Sequence, residues 1–281
     1  MLAAGSRIGT AHRRRRLGQH FLSDPSAVRR IVAAIPFLPG DGCLEIGPGR
    51  GALTFALLER VAFFAALEVD AGLASALEAR LANHPRQPRI VVADALTAPL
   101  EPILDGLRQR GARRVQVCGN LPYSVATPLL IRLLGHADRF AGCTFMVQKE
   151  VADRILARPG SSDYGLLSVI VALRADACHY FDLGPSSFSP RPKVHSSLIG
   201  LRPLAADPLD ERAGAAALGL ARAAFAHRRK TLVNSVRAEG GPWRACEAGL
   251  ATLGHSPNAR AQDLGAPDYV RLAALLPGPV A

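Results

Sequence analysis

No window of this 281-residue chain approaches the roughly 18 uninterrupted apolar residues that a membrane-spanning helix requires. Cysteine is scarce and poorly spaced for metal. The five present (Cys43, Cys118, Cys143, Cys178, Cys246) are odd in number and form no C-x-x-C pair, so neither a zinc site nor a disulfide framework is indicated. Reduced thiols in a cytoplasmic setting are the expectation. Acid is also short, with 23 Asp and Glu against 34 Lys and Arg and none before Asp24. The net charge of +11 and sequence pI near 10.3 favour a polyanionic partner. The amino-terminal segment carries Arg7 and Arg13 to Arg16 without an apolar core behind them, which is the wrong order for a secretory signal. An organellar transit peptide would share its acid-free composition. A solvated arm, residues 1–16, touching phosphate through Arg14, Arg15 and Arg16 suits its shortness better.

What is present is a globular composition, 49% hydrophobic, long enough for one large domain or a medium one plus a small one. Ser23-Asp24-Pro25 is a helix-start signal, and the amphipathic run behind it closes at Pro36. Cys43 to Ile46 reads as a buried strand that turns through Gly47-Pro48-Gly49-Arg50-Gly51 into a helix from Ala52 to Arg60. Glycine is needed there because the backbone must turn sharply and admit a ligand where a Cβ would intrude. Strands follow at Phe63–Val69, Arg89–Ala93, Val115–Cys118 and Thr144–Val147, with helical stretches between them. This alternation predicts an α/β fold with a doubly wound parallel sheet, whose ligands bind outside the carboxyl ends of the strands. Gly47 to Gly51, Glu68, Asp94 and Asn120 each fall at the end of one of the first four strands.

Glu68 lies about 20 residues beyond the glycine run, where an acid takes ribose hydroxyls from a nicotinamide dinucleotide or from another adenosyl ligand. Asp94 is placed to accept from an exocyclic adenine amine. Gly119-Asn120-Leu121-Pro122-Tyr123 then offers a carboxamide, a carbonyl beside a proline turn and a flat ring, which is equipment for holding a planar, amine-bearing base. The composition changes around Pro203 to Pro208, and helices rich in alanine, leucine and arginine follow. The expected domains are therefore 17–203 and an all-helical 204–281. Within the second, His227-Arg228-Arg229-Lys230 reads as a dense basic turn on a helix, with Arg228, Arg229 and Lys230 contacting phosphate.

Taken together these residues resemble the bacterial ribosomal RNA adenine dimethyltransferases, from Leu17 almost to the carboxyl terminus. The marks are Leu17-Gly18-Gln19-His20-Phe21-Leu22, Leu44-Glu45-Ile46-Gly47-Pro48-Gly49, Glu68-Val69-Asp70, Asp94-Ala95, Gly119 to Tyr123, Gln148-Lys149-Glu150-Val151, Phe188-Ser189-Pro190-Arg191-Pro192-Lys193-Val194 and Arg228-Arg229-Lys230-Thr231. The resemblance implies a Rossmann-like class I methyltransferase sheet and S-adenosylmethionine as cofactor. It implies cofactor contacts from Gln19, His20, Leu22, Gly47, Gly49, Glu68, Asp94 and Asn120. His20 stands where many members carry asparagine. It further implies that Asn120 and the Leu121 carbonyl accept hydrogen bonds from the target amine. Pro122 would shape that loop, Tyr123 would stack on the base, and Phe188 would lie on the substrate side of the pocket. The implied substrate is a pair of adjacent adenosines in the 3′-terminal hairpin of 16S rRNA, each methylated twice, in the small subunit or its precursor. A docking or assembly factor of the same fold and a large-subunit RNA methyltransferase are the competing readings. No metal, no membrane and no dimer seam are indicated, so a monomer is expected.

Overall fold

The structure, a computed structural model, describes residues 20–204, 211–227 and 229–278. Gln19, Arg14, Arg15, Arg16 and Arg228, all expected at sites, lie outside the described residues. The described residues fold as two compact units: those up to 152 with 178–203, and 153–177 with those from 204 onwards.

The first unit is built on a mixed sheet. Strands β2 (Asp41–Ile46), β3 (Phe63–Glu68), β4 (Arg89–Val92), β5 (Arg114–Asn120), β6 (Gly142–Gln148), β7 (Ala175–Leu183) and β9 (Ser196–Pro203) adopt the order β4-β3-β2-β5-β6-β9-β7. The five strands from β4 to β6 pair in parallel, as the alternating pattern predicts. The sheet is mixed beyond these five, because β9 runs antiparallel to β6. Helices α1 (Pro25–Ala34), α2 (Ala52–Arg60), α3 (Ala71–Leu81), α4 (Glu101–Gln109) and α5 (Ala126–Leu134) alternate with the strands. Asp24 caps α1 by accepting from the Ser26 amide at 2.8 Å, with Pro25 in the first turn. Both faces of the central strands are covered, so β2 is buried along its whole length. Leu57, Leu58 and Phe64 are completely or nearly completely buried in the core, each contributing roughly 1.5–3 kcal/mol.

Register is anchored at the amino ends of β2 and β5. There Arg114 grips Asp41 with two hydrogen bonds, Nε to Oδ1 at 3.0 Å and Nη2 to Oδ2 at 2.9 Å. Asp41 is buried and also accepts from the Leu38 amide at 2.9 Å. Pairing then runs Asp41 with Arg114 through to Glu45 with Cys118, which places the loops after Ile46 and after Asn120 side by side. The sequence did not reveal a second, two-stranded sheet in which β1 (Phe21–Leu22) pairs antiparallel with β8 (Phe188–Ser189), Phe21 facing Ser189 and Leu22 facing Phe188.

The second unit is helical: α6 (Lys149–Leu156) leads into it, followed by α7 (Leu166–Arg174), α8 (Glu211–Ala226), α9 (Leu232–Ala238), α10 (Trp243–Thr252) and α11 (Ala266–Ala274). Ala217, Leu220, Ala221 and Ala224 recur at helical spacing and make one buried face of α8. Phe225 of the same helix makes tilted ring contacts with Tyr164 and Tyr269, each with centroids 6.2 Å apart. The expected unbroken span 17–203 for the first domain is therefore corrected. Val169 and Leu173 of α7 are apolar residues committed to the helical core, and they carry 153–177 with them. The basic run is also corrected: α8 ends at Ala226 and α9 begins after Thr231, so His227, Arg229 and Lys230 lie between two helices and not on one. Arg229 and Lys230 are exposed there.

Candidate active site

A cleft opens along the carboxyl edge of the sheet in the first unit. Its walls are built from His20, Gly47, Gly49, Glu68, Asp94 and the run Asn120 to Tyr123, with apolar surface from Ile46, Leu67, Val69, Leu96, Val125 and Leu129. Four strand ends thus bring together residues spread over more than 100 positions, as expected for this sheet topology.

The glycine loop follows β2. Gly47, Gly49 and Gly51 have φ of +68°, +56° and +83°, a region that L side chains disfavour by roughly 1–2 kcal/mol. A Cβ at Gly47 would meet nothing within 4 Å, so this position faces open space. A Cβ at Gly49 would press on the Phe21 ring at 2.9 Å, and one at Gly51 on Leu77 at 2.8 Å. Glu68 holds the loop from the next strand: Oε2 accepts from the Gly49 amide at 3.0 Å and Oε1 from the Asp70 amide at 2.9 Å. A carboxylate has about four lone-pair positions, so each oxygen retains capacity for a ligand hydroxyl. Burial raises the Glu68 pKa, and backbone amides, those of Asp70 and Gly49 foremost, oppose that rise. Asp94 is exposed, and its Oδ1 accepts from the Leu96 amide at 2.9 Å. Among the described residues Oδ2 has no partner.

The amide loop follows β5. Asn120 Nδ2 donates to the His20 carbonyl at 2.8 Å, which orients the carboxamide and leaves Oδ1 as a free acceptor. The Leu121 amide donates to Met146 O at 3.1 Å and the Val125 amide to Pro122 O at 3.0 Å. The Leu121 carbonyl, between them, accepts no hydrogen bond among the described residues. Gly119 is required for a different reason: a Cβ there would collide with the Ile46 carbonyl oxygen of β2. The Tyr123 hydroxyl shares a hydrogen bond with Ser196 Oγ at 2.8 Å, and its ring lies 5.3 Å from that of His20 at an interplanar angle of 34°. Burial raises the Tyr123 pKa, so the hydroxyl is neutral. His20 Nδ1 in turn donates to Pro190 O at 2.8 Å.

One expected site residue is placed elsewhere. Phe188 is 2% exposed and packs in the apolar core behind β1, so it does not face the base side of the cleft. The Leu22 side chain is buried opposite Phe188 in the β1–β8 pair, and it lines a small cavity with Gly47 and Asn120 beside the cleft. Alternation along a two-residue strand decides which side chain enters the core, and the strand itself exists only through its distant partner.

Two residues escaped sequence reading. Glu45, in the middle of β2, is 1% exposed and is driven by burial to a pKa of about 8. Its Oε2 accepts from Thr54 Oγ1 at 2.7 Å. An acid inside an otherwise apolar buried strand was the available signal. Ser196 had none, because only the fold brings it to Tyr123, 73 residues away. Among the described residues no cluster of three or more His, Cys, Asp or Glu side chains could hold a metal ion, and no helix is long and apolar enough to cross a membrane.

Comparison with known proteins agrees with this arrangement. A family model described as ribosomal RNA adenine dimethylase matches residues 10–275. The chain is 42% identical over 260 residues to the ribosomal RNA small subunit methyltransferase A of Methylococcus capsulatus, covering 92% of this chain and 96% of that protein. It is 41% identical over 266 residues to the protein of the same name from Bordetella bronchiseptica, covering 94% of each. Among solved structures it resembles a dimethyladenosine transferase from Plasmodium falciparum, with a TM-score of 0.75 and 25% identity over 90% of this chain and 96% of that one. It also resembles the 23S rRNA methyltransferase ErmE, with a TM-score of 0.68 and 26% identity over 91% and 99% of the two chains. With nearly its whole length matched, and with the matching motifs gathered around one cleft, this chain belongs to the ribosomal RNA adenine dimethylase family.

Proposed function

We propose that this protein transfers methyl groups from S-adenosylmethionine to N6 of two adjacent adenosines in the 3′-terminal hairpin of 16S rRNA, dimethylating each during small-subunit biogenesis. One observation carries the reading. Asn120 Nδ2 is committed to the His20 carbonyl, which leaves Asn120 Oδ1 and the Leu121 carbonyl as neighbouring acceptors in the cleft. Two acceptors match the two N–H bonds of an adenine amine.

The cleft fits the cofactor. Gly47 opens onto it without a side chain, Glu68 retains acceptor capacity for ribose hydroxyls, and Asp94 Oδ2 is available to an adenine amine between the apolar walls of Val69 and Leu96. When bound, S-adenosylmethionine supplies a methyl group already activated by its positively charged sulfur. The work of the protein is orientation. The amine lone pair of adenine is delocalised into the ring, and acceptors on both hydrogens draw the nitrogen towards a pyramidal geometry that aims the lone pair at the methyl carbon. Holding both reactants in that geometry accounts for much of the acceleration. The proton lost after each transfer leaves to solvent, since a strong base is not needed for so weakly basic a nitrogen. Tyr123, fixed at its hydroxyl by Ser196, offers a face for the displaced base, worth about 1–3 kcal/mol.

The relatives at about 40% identity are named for the small subunit, whereas ErmE, named for 23S rRNA, is 26% identical, which supports the small-subunit substrate. Exposed Arg229 and Lys230 suit an RNA backbone, whose phosphates they would meet as cations. The proposal extends to a cytoplasmic monomer. The test is methyl transfer from labelled cofactor to unmethylated small subunits, with the products mapped at nucleotide resolution. Wild type is expected to give paired dimethyladenosines, and Asn120→Ala to lower kcat roughly 10²–10³-fold, as when one preorganised hydrogen-bonding group is removed. Full activity in Asn120→Ala would overturn the orienting role. Modification on large-subunit RNA would overturn the substrate assignment.

A further inference from the structure

We infer that Trp243, with Arg237 and Arg244 held against it, is a phosphate-docking site for RNA in the helical unit. This inference rests on the RNA reading above and extends it to residues that no part of the methyl-transfer cleft uses. Trp243 is the only tryptophan in the chain. It is half-buried at the start of α10. Arg237 lies in the last turn of α9, and Gly240, with φ of +74°, lets the chain reverse between the two helices. The Gly240 amide donates to Arg237 O at 3.1 Å and the Gly241 amide to Val236 O at 2.8 Å, which closes the turn. The result is two guanidinium groups on one indole, with Arg237 Cζ 4.9 Å and Arg244 Cζ 5.0 Å from the ring centroid.

A solvated, mildly stabilising surface contact is the plainer reading, worth about 0.5–1 kcal/mol per pair. Two observations go against it. Both arginines are exposed, and neither has an acidic partner among the described residues. The acid nearest in sequence to Arg237, Glu239, is taken by His227 at 3.0 Å. Arg244 also stands in the first turn of α10, which has no acid and where a cation opposes the helix dipole, so helix stability does not explain it. A guanidinium held over an indole ring still has N–H donors for a bidentate partner, and a phosphate oxygen pair fits them. Holding the side chains in place beforehand lowers the entropy lost on binding. Arg229 and Lys230 flank the other end of α9, a helix of seven residues spanning about 10 Å, so the positive charge continues along it.

Because the tryptophan is unique, its emission reports on this site alone. Full-length protein titrated with a protein-free transcript of small-subunit RNA is expected to show a saturable change in that emission. The double variant Arg237→Gln, Arg244→Gln is expected to bind roughly 10-fold more weakly. Its slope of log affinity against log salt should be shallower by about 1.4 to 1.8, since each phosphate left without its arginine removes roughly 0.7 to 0.9. Trp243→Phe should retain most of the affinity, and Trp243→Ala should lose several-fold with its charge unchanged. An unaltered slope in the double variant, melting like wild type, overturns the inference while leaving the RNA substrate intact. Failure of wild type to bind the transcript overturns both. An emission change with polyglutamate but none with RNA would assign the site to an acidic protein instead.

Discussion

The loops after β2 and β5 leave neighbouring strands side by side, yet they are shaped by opposite means. The glycine loop takes its form from backbone conformation, with three residues at positive φ and a single carboxylate, Glu68, gripping it from the next strand. The amide loop has no residue at positive φ, and distant groups hold it: the His20 carbonyl on Asn120, Met146 O on the Leu121 amide and Ser196 on Tyr123. Their tasks differ accordingly. A loop that must bring its backbone close to a ligand needs to lose its side chains. One that must present acceptors at fixed angles to an amine needs its side chains pinned.

The comparison can be broken most severely at Gly119, where the two loops depend on one close approach of strands. In Gly119→Ala the new Cβ meets the Ile46 carbonyl oxygen, a backbone atom that cannot move aside without disturbing β2. We expect a loss of about 3 kcal/mol or more, a fall of roughly 10 °C in Tm by circular dichroism. A variant melting with wild type would show that the strands can yield.

The next effect is set by Glu45, whose neighbour in the register is Cys118 of β5 and which lines a small cavity with Gly47 and Asn120. Its folded pKa of about 8 lies above the ordinary 4.5. The folded state therefore holds the proton more tightly than the unfolded one, and stability falls as pH rises through that window. Wild type is expected to lose on the order of 2–4 kcal/mol relative to Glu45→Gln between pH 5 and 8, read as the difference of their melting curves at each pH. Parallel pH profiles would mean that Glu45 is ionised throughout.

The smallest effect on stability belongs to Gly47. A Cβ there is unopposed, so Gly47→Ala should cost only about 1 kcal/mol from its backbone angle, some 2–4 °C in Tm. Its effect on the ligand should be larger, with at least roughly 10-fold weaker S-adenosylmethionine binding by calorimetry, because the methyl group would occupy the cleft. Undiminished binding would remove Gly47 from the cofactor wall.

Much of the cleft was legible in the chain. Glu68, Asp94 and Asn120 each close a strand in a repeating strand–helix pattern, and that topology carries strand ends to one edge of the sheet. Phe188 was misplaced because its motif says nothing about which face of β8 it occupies. The segment 153–177 was assigned to the wrong unit because apolar residues in α7 do not name the core they join.

By itself, the sequence determined the strand order along the chain, the glycines that permit positive φ and the acids at strand ends, since these depend on local sterics and spacing. Only the tertiary structure decided what each group does there. It turned the Asn120 carboxamide by offering His20 O, anchored Tyr123 to a serine 73 residues away, and put Glu45 in an apolar interior where its charge is suppressed. Hydrogen-bond direction and burial depend on neighbours brought from far along the chain, and spacing carries no record of them.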